Sequence, residues 1–111
     1  MTAFQIVGAL VLVADGTAET LTLTQGTNSI TGNKNISVLK IDNPDLTTNM
    51  GITFSLTAPP AAIDYNNCVL IPANGTVFVQ VAPANHTGPV YVYNTAGGGV
   101  TAYVQPVALI N

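Results

Sequence analysis

The feature that most constrains this chain is a period of two. In TVFVQV (76–81), PVYVYN (89–94) and TAYVQP (101–106), aromatic rings alternate with valine or alanine. Successive side chains of a strand point to opposite faces, so such runs have one aromatic and one aliphatic face when extended. ETLTLTQ (19–25) and GITFSLT (51–57) alternate in the same way. No window of a dozen residues keeps apolar positions at i, i+3, i+4 and i+7 without Gly, Pro or a β-branched residue intervening, so helix is excluded as the organising element.

Turn signals divide the rest. Asp15-Gly16 is a favoured two-residue hairpin turn, Asn43-Pro44 ends ISVLKID (36–42), and Pro59-Pro60 marks APPAAIDYNN (58–67) as loop. CVLI (68–71) is a short strand ended by Pro72. PANGTVFVQV from 72 and PANHTGPVYVY from 83 form a weak repeat of turn and strand, and GGGVTAYVQPV is a looser third copy. IVGALVLVA (6–14) is apolar on both faces, which suits a central or covered strand. It is about half a membrane span long, and MTAFQ before it lacks the Lys or Arg of a signal peptide. About eight strands with turns between them predict an all-β fold in one domain, 1–111: an antiparallel β-sandwich, jelly-roll-like, with a β-barrel as the alternative.

Charge is the second constraint. Charged residues make up 6% of the 111, against roughly 25% in ordinary soluble domains. None follows Asp64, and Thr and Asn take their place. Charged residues are depleted from the cores of protein interfaces, so a surface without them suits an assembly. The net charge is −3 and the only cations are Lys34 and Lys40, which excludes sequence-independent nucleic-acid binding. Cys68 is the single cysteine, so there is no disulfide framework. No membrane partner is expected, and synthesis in a cytoplasm is.

Alternation assigns faces. Val77, Val79, Val81, Val90, Val92, Ala102 and Val104 form an aliphatic core face. If the three strands are neighbours, Phe78, Tyr91, Tyr93 and Tyr103, with Gln80 and Gln105 among them, form one outward aromatic face suited to a partner. The reverse orientation, rings inward, is the competing arrangement. The terminal VALIN is either a last strand within the sheet or a tail docking on a neighbouring subunit. The candidate interface is therefore Phe78, Tyr91, Tyr93, Tyr103, Leu109 and Ile110.

Chemistry finds little footing. Cys68 and His86 are the only thiol–imidazole pair, one opening an apolar strand and the other in a polar loop. Two such ligands fall short of a structural zinc site. Asp42, Asn43, Asp45 and Asn49 miss the spacing of a calcium loop and read as an Asx-rich turn. Five carboxylates offer no defined pair for glycoside chemistry. Gly97–Gly99 precede no helix that would bind phosphate, and read as a hairpin loop. The sequons at 35–37, 74–76 and 85–87 are what an Asn- and Thr-rich chain produces by chance. No catalytic residue, metal ligand or cofactor is assigned, and the chain reads as a non-enzyme.

GTVFVQV, GPVYVYNTAGGGVTAYVQP and the N-terminal apolar strand resemble the small, charge-poor, all-β proteins of tailed-bacteriophage virions, above all capsid decoration (cement) proteins. The resemblance implies a structural protein on the outer capsid surface, acting as a dimer or trimer and bridging major capsid subunits against the pressure of packaged DNA. That family is defined by role and not by motif, so no site residue carries over. Two other expectations stand beside it: a sugar-binding β-sandwich, with Tyr91, Tyr93 and Tyr103 stacking on sugar rings, and a phage tail or connector subunit.

Overall fold

The computed structural model describes residues 3–6, 9–23, 34–83, 86, 88–95 and 99–110. Among the described residues every regular element is a strand: β1 (Ala3–Ile6), β2 (Val11–Val13), β3 (Ala18–Leu23), β4 (Lys34–Asp42), β5 (Met50–Ser55), β6 (Cys68–Ile71), β7 (Thr76–Gln80), β8 (Gly88–Asn94) and β9 (Ala102–Ile110). All named strand pairs are antiparallel. Sheet A runs β1–β9–β4–β7, with β2 also on β9, and sheet B runs β3–β8–β5–β6. β1 and β2 lie end to end on the side of β9 away from β4, so the nine segments fill eight positions.

Those two orders match column by column. β2 leads to β3, β4 to β5, β6 to β7 and β8 to β9, and each connection joins strands at the same position in the two sheets. This is the path of a jelly roll, two Greek keys wound into facing sheets. The sheets keep their edges and do not close into a barrel.

The topology corrects three expectations from sequence. Asp15-Gly16 is a turn but not a hairpin: it carries the chain from sheet A to sheet B. Its form fits Gly16, whose φ of 72° sits at the third position of the turn closed by Thr17 N–H on the Ala14 carbonyl at 3.1 Å. The run 95–101 likewise joins β8 in sheet B to β9 in sheet A, so the glycines are not a hairpin loop; Gly97 and Gly98 lie outside the described residues. The segment 6–14 is not a central strand. It is an edge carrying β1 and β2, with Ile6, Leu10 and Leu12 exposed and, among the described residues, only Val13 fully buried. The ladder along this edge stops at Val107 and resumes at Val104. Pro106, which has no N–H to give, stands in that gap.

The core lies between the sheets. Val13, Leu39, Ile41, Ala102 and Val104 from sheet A meet Leu21, Met50, Ile52, Ile71, Val90 and Val92 from sheet B. Val77, Val79 and Val81 pack at its margin. Valine and isoleucine suit this place because their stiff, branched side chains pack well on a pleated surface.

The four column connections gather at one end of the sandwich, and two buried asparagines hold them in pairs. Asn94, the last residue of β8, donates through Nδ2 to the carbonyls of Val13 at 2.8 Å and Val100 at 2.9 Å. Its backbone carbonyl accepts Gly16 N–H at 2.8 Å, and its own N–H reaches Thr17. One residue thus ties 14–17 to 95–101. Asn43, just past β4, donates through Nδ2 to Thr48, Ile71 and Pro72 carbonyls, while its Oδ1 accepts Asp45 N–H. It ties 43–49 to 72–75.

Removing either amide takes a donor from several carbonyls at once, although the Pro72 carbonyl keeps Gly75 N–H, and each buried group left unpaired costs about 1–3 kcal/mol. Asn43→Ala and Asn94→Ala should each lower the urea unfolding free energy by roughly 2–4 kcal/mol, whereas exposed Asn66→Ala should stay within about 0.5 kcal/mol. Equal effects from all three would show that the amides do not hold the connections.

Candidate functional site

The structure divides the predicted aromatic face in two. The expected sidedness holds: Val90, Val92, Ala102 and Val104 are fully buried, while Phe78 and Tyr103 are exposed and Tyr91 and Tyr93 half-exposed. The expected neighbourhood does not hold. β7 and β9 are separated by β4 in sheet A, and β8 lies in sheet B. Phe78 and Tyr103 therefore look out from one side of the sandwich, Tyr91 and Tyr93 from the other. Short-range alternation sets sidedness; strand partnership depends on residues far away in sequence.

On the outer face of sheet A, register stacks Leu12, Tyr103, Asp42 and Thr76 in one row, and Gln105, Lys40 and Phe78 in the next. Lys40 Nζ lies 3.6 Å from Asp42 Oδ2, along the same strand. Thr76 Oγ1 also donates to Asp42 Oδ1. Beyond these rows Val38 and Val107 are buried, so the open area ends there on those two strands. Leu109 and Ile110 close β9, where the backbone pairs with β1 on one side and β4 on the other. The backbone of that terminal segment is thus a strand within the sheet.

The outer face of sheet B is uneven. Tyr91 and Tyr93 stand about 7 Å apart along β8, Tyr91 between Thr20 of β3 and Ser55 of β5, and Tyr93 between Ala18 and Thr53. Next to them the loop 56–67 folds across β5. Asp64 N–H donates to Thr53 Oγ1 at 3.1 Å, Asn67 carries its amide to the Phe54 carbonyl, and Thr53 is buried beneath. Tyr65 on that loop and Leu70 on β6 are 84% and 74% exposed. Sequence reasoning passed over both, as it did Leu12 and the Lys40–Asp42 pair.

The close approach of Thr95 to β5 requires Gly51. A Cβ there would stand 2.8 Å from Thr95 Oγ1, with Cys68 Sγ at 3.4 Å and Ile63 Cδ1 at 3.6 Å. Thr95 is held by its own bond to the Gly51 carbonyl. Gly51→Ala should cost about 1–3 kcal/mol by overpacking, and Thr95→Gly in the same chain should recover part of it. Additive losses in thermal melts would refute the contact.

The remaining candidates are placed as follows. Cys68 Sγ donates to the Val69 carbonyl at 3.8 Å. His86 lies between β7 and β8, its Nε2 paired with the Pro89 carbonyl at 3.3 Å. Among the described residues no group of three His, Cys, Asp or Glu could hold a metal ion. The Asx-rich segment is the expected turn: Asp45 Oδ1 accepts Thr47 N–H at 2.9 Å and Thr48 N–H at 2.7 Å.

Those two amides, Thr47 foremost, hold the Asp45 carboxyl below the usual carboxylate range, and desolvation opposes them. The ionised form therefore stabilises the fold above about pH 4, and that contribution is lost as pH falls through the folded-state value. Asp45→Asn should be less stable than the parent near neutrality, and the gap should close in acid. A gap that is constant with pH in denaturation curves would remove Asp45 from the acid response.

No family model, no curated protein and no solved structure matches this chain.

Proposed function

We propose that this chain is a structural assembly protein, and specifically a capsid decoration protein of a tailed-bacteriophage head. The observation that carries the reading is a jelly roll whose outward positions are filled by hydroxyl, amide and apolar side chains in place of charge. Leu12, Leu46, Tyr65, Leu70, Phe78 and Tyr103 are large apolar side chains left exposed. Scattered exposed apolar residues are normal on a monomer; their company with so few charges is not. Assembly partners that bury such faces gain apolar area without desolvating ions. Jelly rolls serve viral capsids and lectins alike, so fold narrows the field and surface character selects within it. The partners are further copies of the chain and a major capsid protein, at the outer surface of the head.

A carbohydrate-binding module is the second reading, favoured by Tyr91 and Tyr93 along β8, with the hydroxyl-bearing Thr20 and Ser55 beside Tyr91 on sheet B. A tail or connector subunit would use the same physics at another place in the virion.

Purified chain should co-sediment saturably with empty capsid shells of the phage that encodes it, and labelled chain should map to the shell and not to the tail by electron microscopy. Failure to bind shells, together with glycan-array hits abolished by Tyr91→Ala, would replace this reading by the second.

A further inference from the structure

The two rows on the outer face of sheet A are complementary to each other. One presents Leu12, Tyr103, Asp42 and Thr76; the next presents Gln105, Lys40 and Phe78, with exposed Leu10 just before β2. We propose that this face is an isologous dimer interface, occupied by the same face of a second copy. This rests on the reading of the chain as an assembly subunit and names its first partner.

A two-fold contact exchanges positions, so residue i meets j and j meets i. An axis lying in the interface, perpendicular to β4 and midway between Lys40 and Asp42, sets each row on the other row of the second copy. Lys40 then meets Asp42 of the second copy, and Asp42 its Lys40. Tyr103 falls on Gln105, Phe78 on Thr76 and Leu12 on Leu10. An axis parallel to the strands would instead set Lys40 on Lys40 and Asp42 on Asp42, which costs several kcal/mol. The charge pattern therefore selects both the occupant and the direction of approach. Lys40 and Asp42 are 33% and 28% exposed, open enough to reach a facing copy.

Two open rows spaced about 6.6 Å along the strands and four columns at about 4.8 Å give roughly 250 Å² in projection, which places the dimer at the weak, reversible end of specific contacts. Exposed Leu12, Tyr103 and Phe78 supply the apolar part. The outer face of sheet B offers no such flat area, because the loop 56–67 lies across β5.

Sedimentation velocity over a wide concentration range tests this on the full chain. The wild type should form a dimer. Lys40→Asp and Asp42→Lys, each confirmed folded by circular dichroism, should weaken self-association by roughly a hundredfold or more. An equimolar mixture of the two should recover dimers, because the acidic face of one then meets the basic face of the other. Leu12→Ser, which alters no charge, should weaken the dimer at least tenfold with an unchanged melt. A wild type that stays monomeric, a trimer, charge reversals without effect, or a mixture that does not recover would each overturn the proposal. A chain that binds shells but fails here would retain its assembly role and lose this interface; one that dimerises as described but ignores shells would keep the interface and lose the capsid reading.

Discussion

Two side-chain amides hold the jelly roll together at the end where it is most vulnerable. The four connections gathered there each leave one sheet and enter the other, so their backbone groups have no ladder to join. Buried polar backbone is costly when unpaired. Asn94 and Asn43 answer this with one planar amide per pair of connections, each donating to carbonyls on both connections of its pair. Both sit at the end of a strand that otherwise feeds the core with valine, leucine or isoleucine. Thr95 joins the two halves: its N–H and its hydroxyl both reach the Gly51 carbonyl, each at 2.9 Å, linking the end of β8 to the start of β5.

With the sheets fixed, the outward faces acquire their character from what the strands carry on the opposite parity. The pleat that buries Leu39 and Ile41 obliges Lys40 and Asp42 outward, and the pleat that turns Val77 and Val79 to the core margin obliges Phe78. Strand parity thus fixes which side chains face outward once the core face is set. In sheet A that surface is open. In sheet B the loop 56–67 occupies part of it, which is why Thr53 and Gly51 are buried although they point away from the core.

Much of this was legible in the sequence. Alternation gave the sidedness of Phe78, Tyr91, Tyr93 and Tyr103, and turn spacing gave a sandwich of eight strand positions. The pairing of strands was not legible, because Asp15-Gly16 reads the same whether it turns back within a sheet or crosses to the other. A two-residue signal fixes backbone dihedrals, not the destination of the next strand. The asparagines were overlooked in a chain full of asparagine, yet a signal existed. Period two places Asn94 on the face of Val90 and Val92, and Asn43 on that of Leu39 and Ile41. A polar residue on the core parity at a strand's end marks a group that something buried needs. The edge position of β2 had a hint as well, in Pro106, whose absent N–H weakens whatever strand would lie beside it.

Because the column connections pass between sheets, β5 and β6 are, among the described residues, the only consecutive strands that pair within one. Every other ladder joins distant parts of the chain, and β9 unites β1, β2 and β4. Folding must therefore close large loops before their contacts repay the entropy, the regime in which all-β domains take roughly milliseconds to seconds. β1 and β2 have their ladders on β9, so these uncharged strands emerge from the ribosome long before their partner exists, whereas β4 can already pair with β7. A chain of this design spends its most aggregation-prone moments during synthesis, and its sparse charges, nearly all placed before residue 46, stand where they repel neighbouring nascent chains earliest.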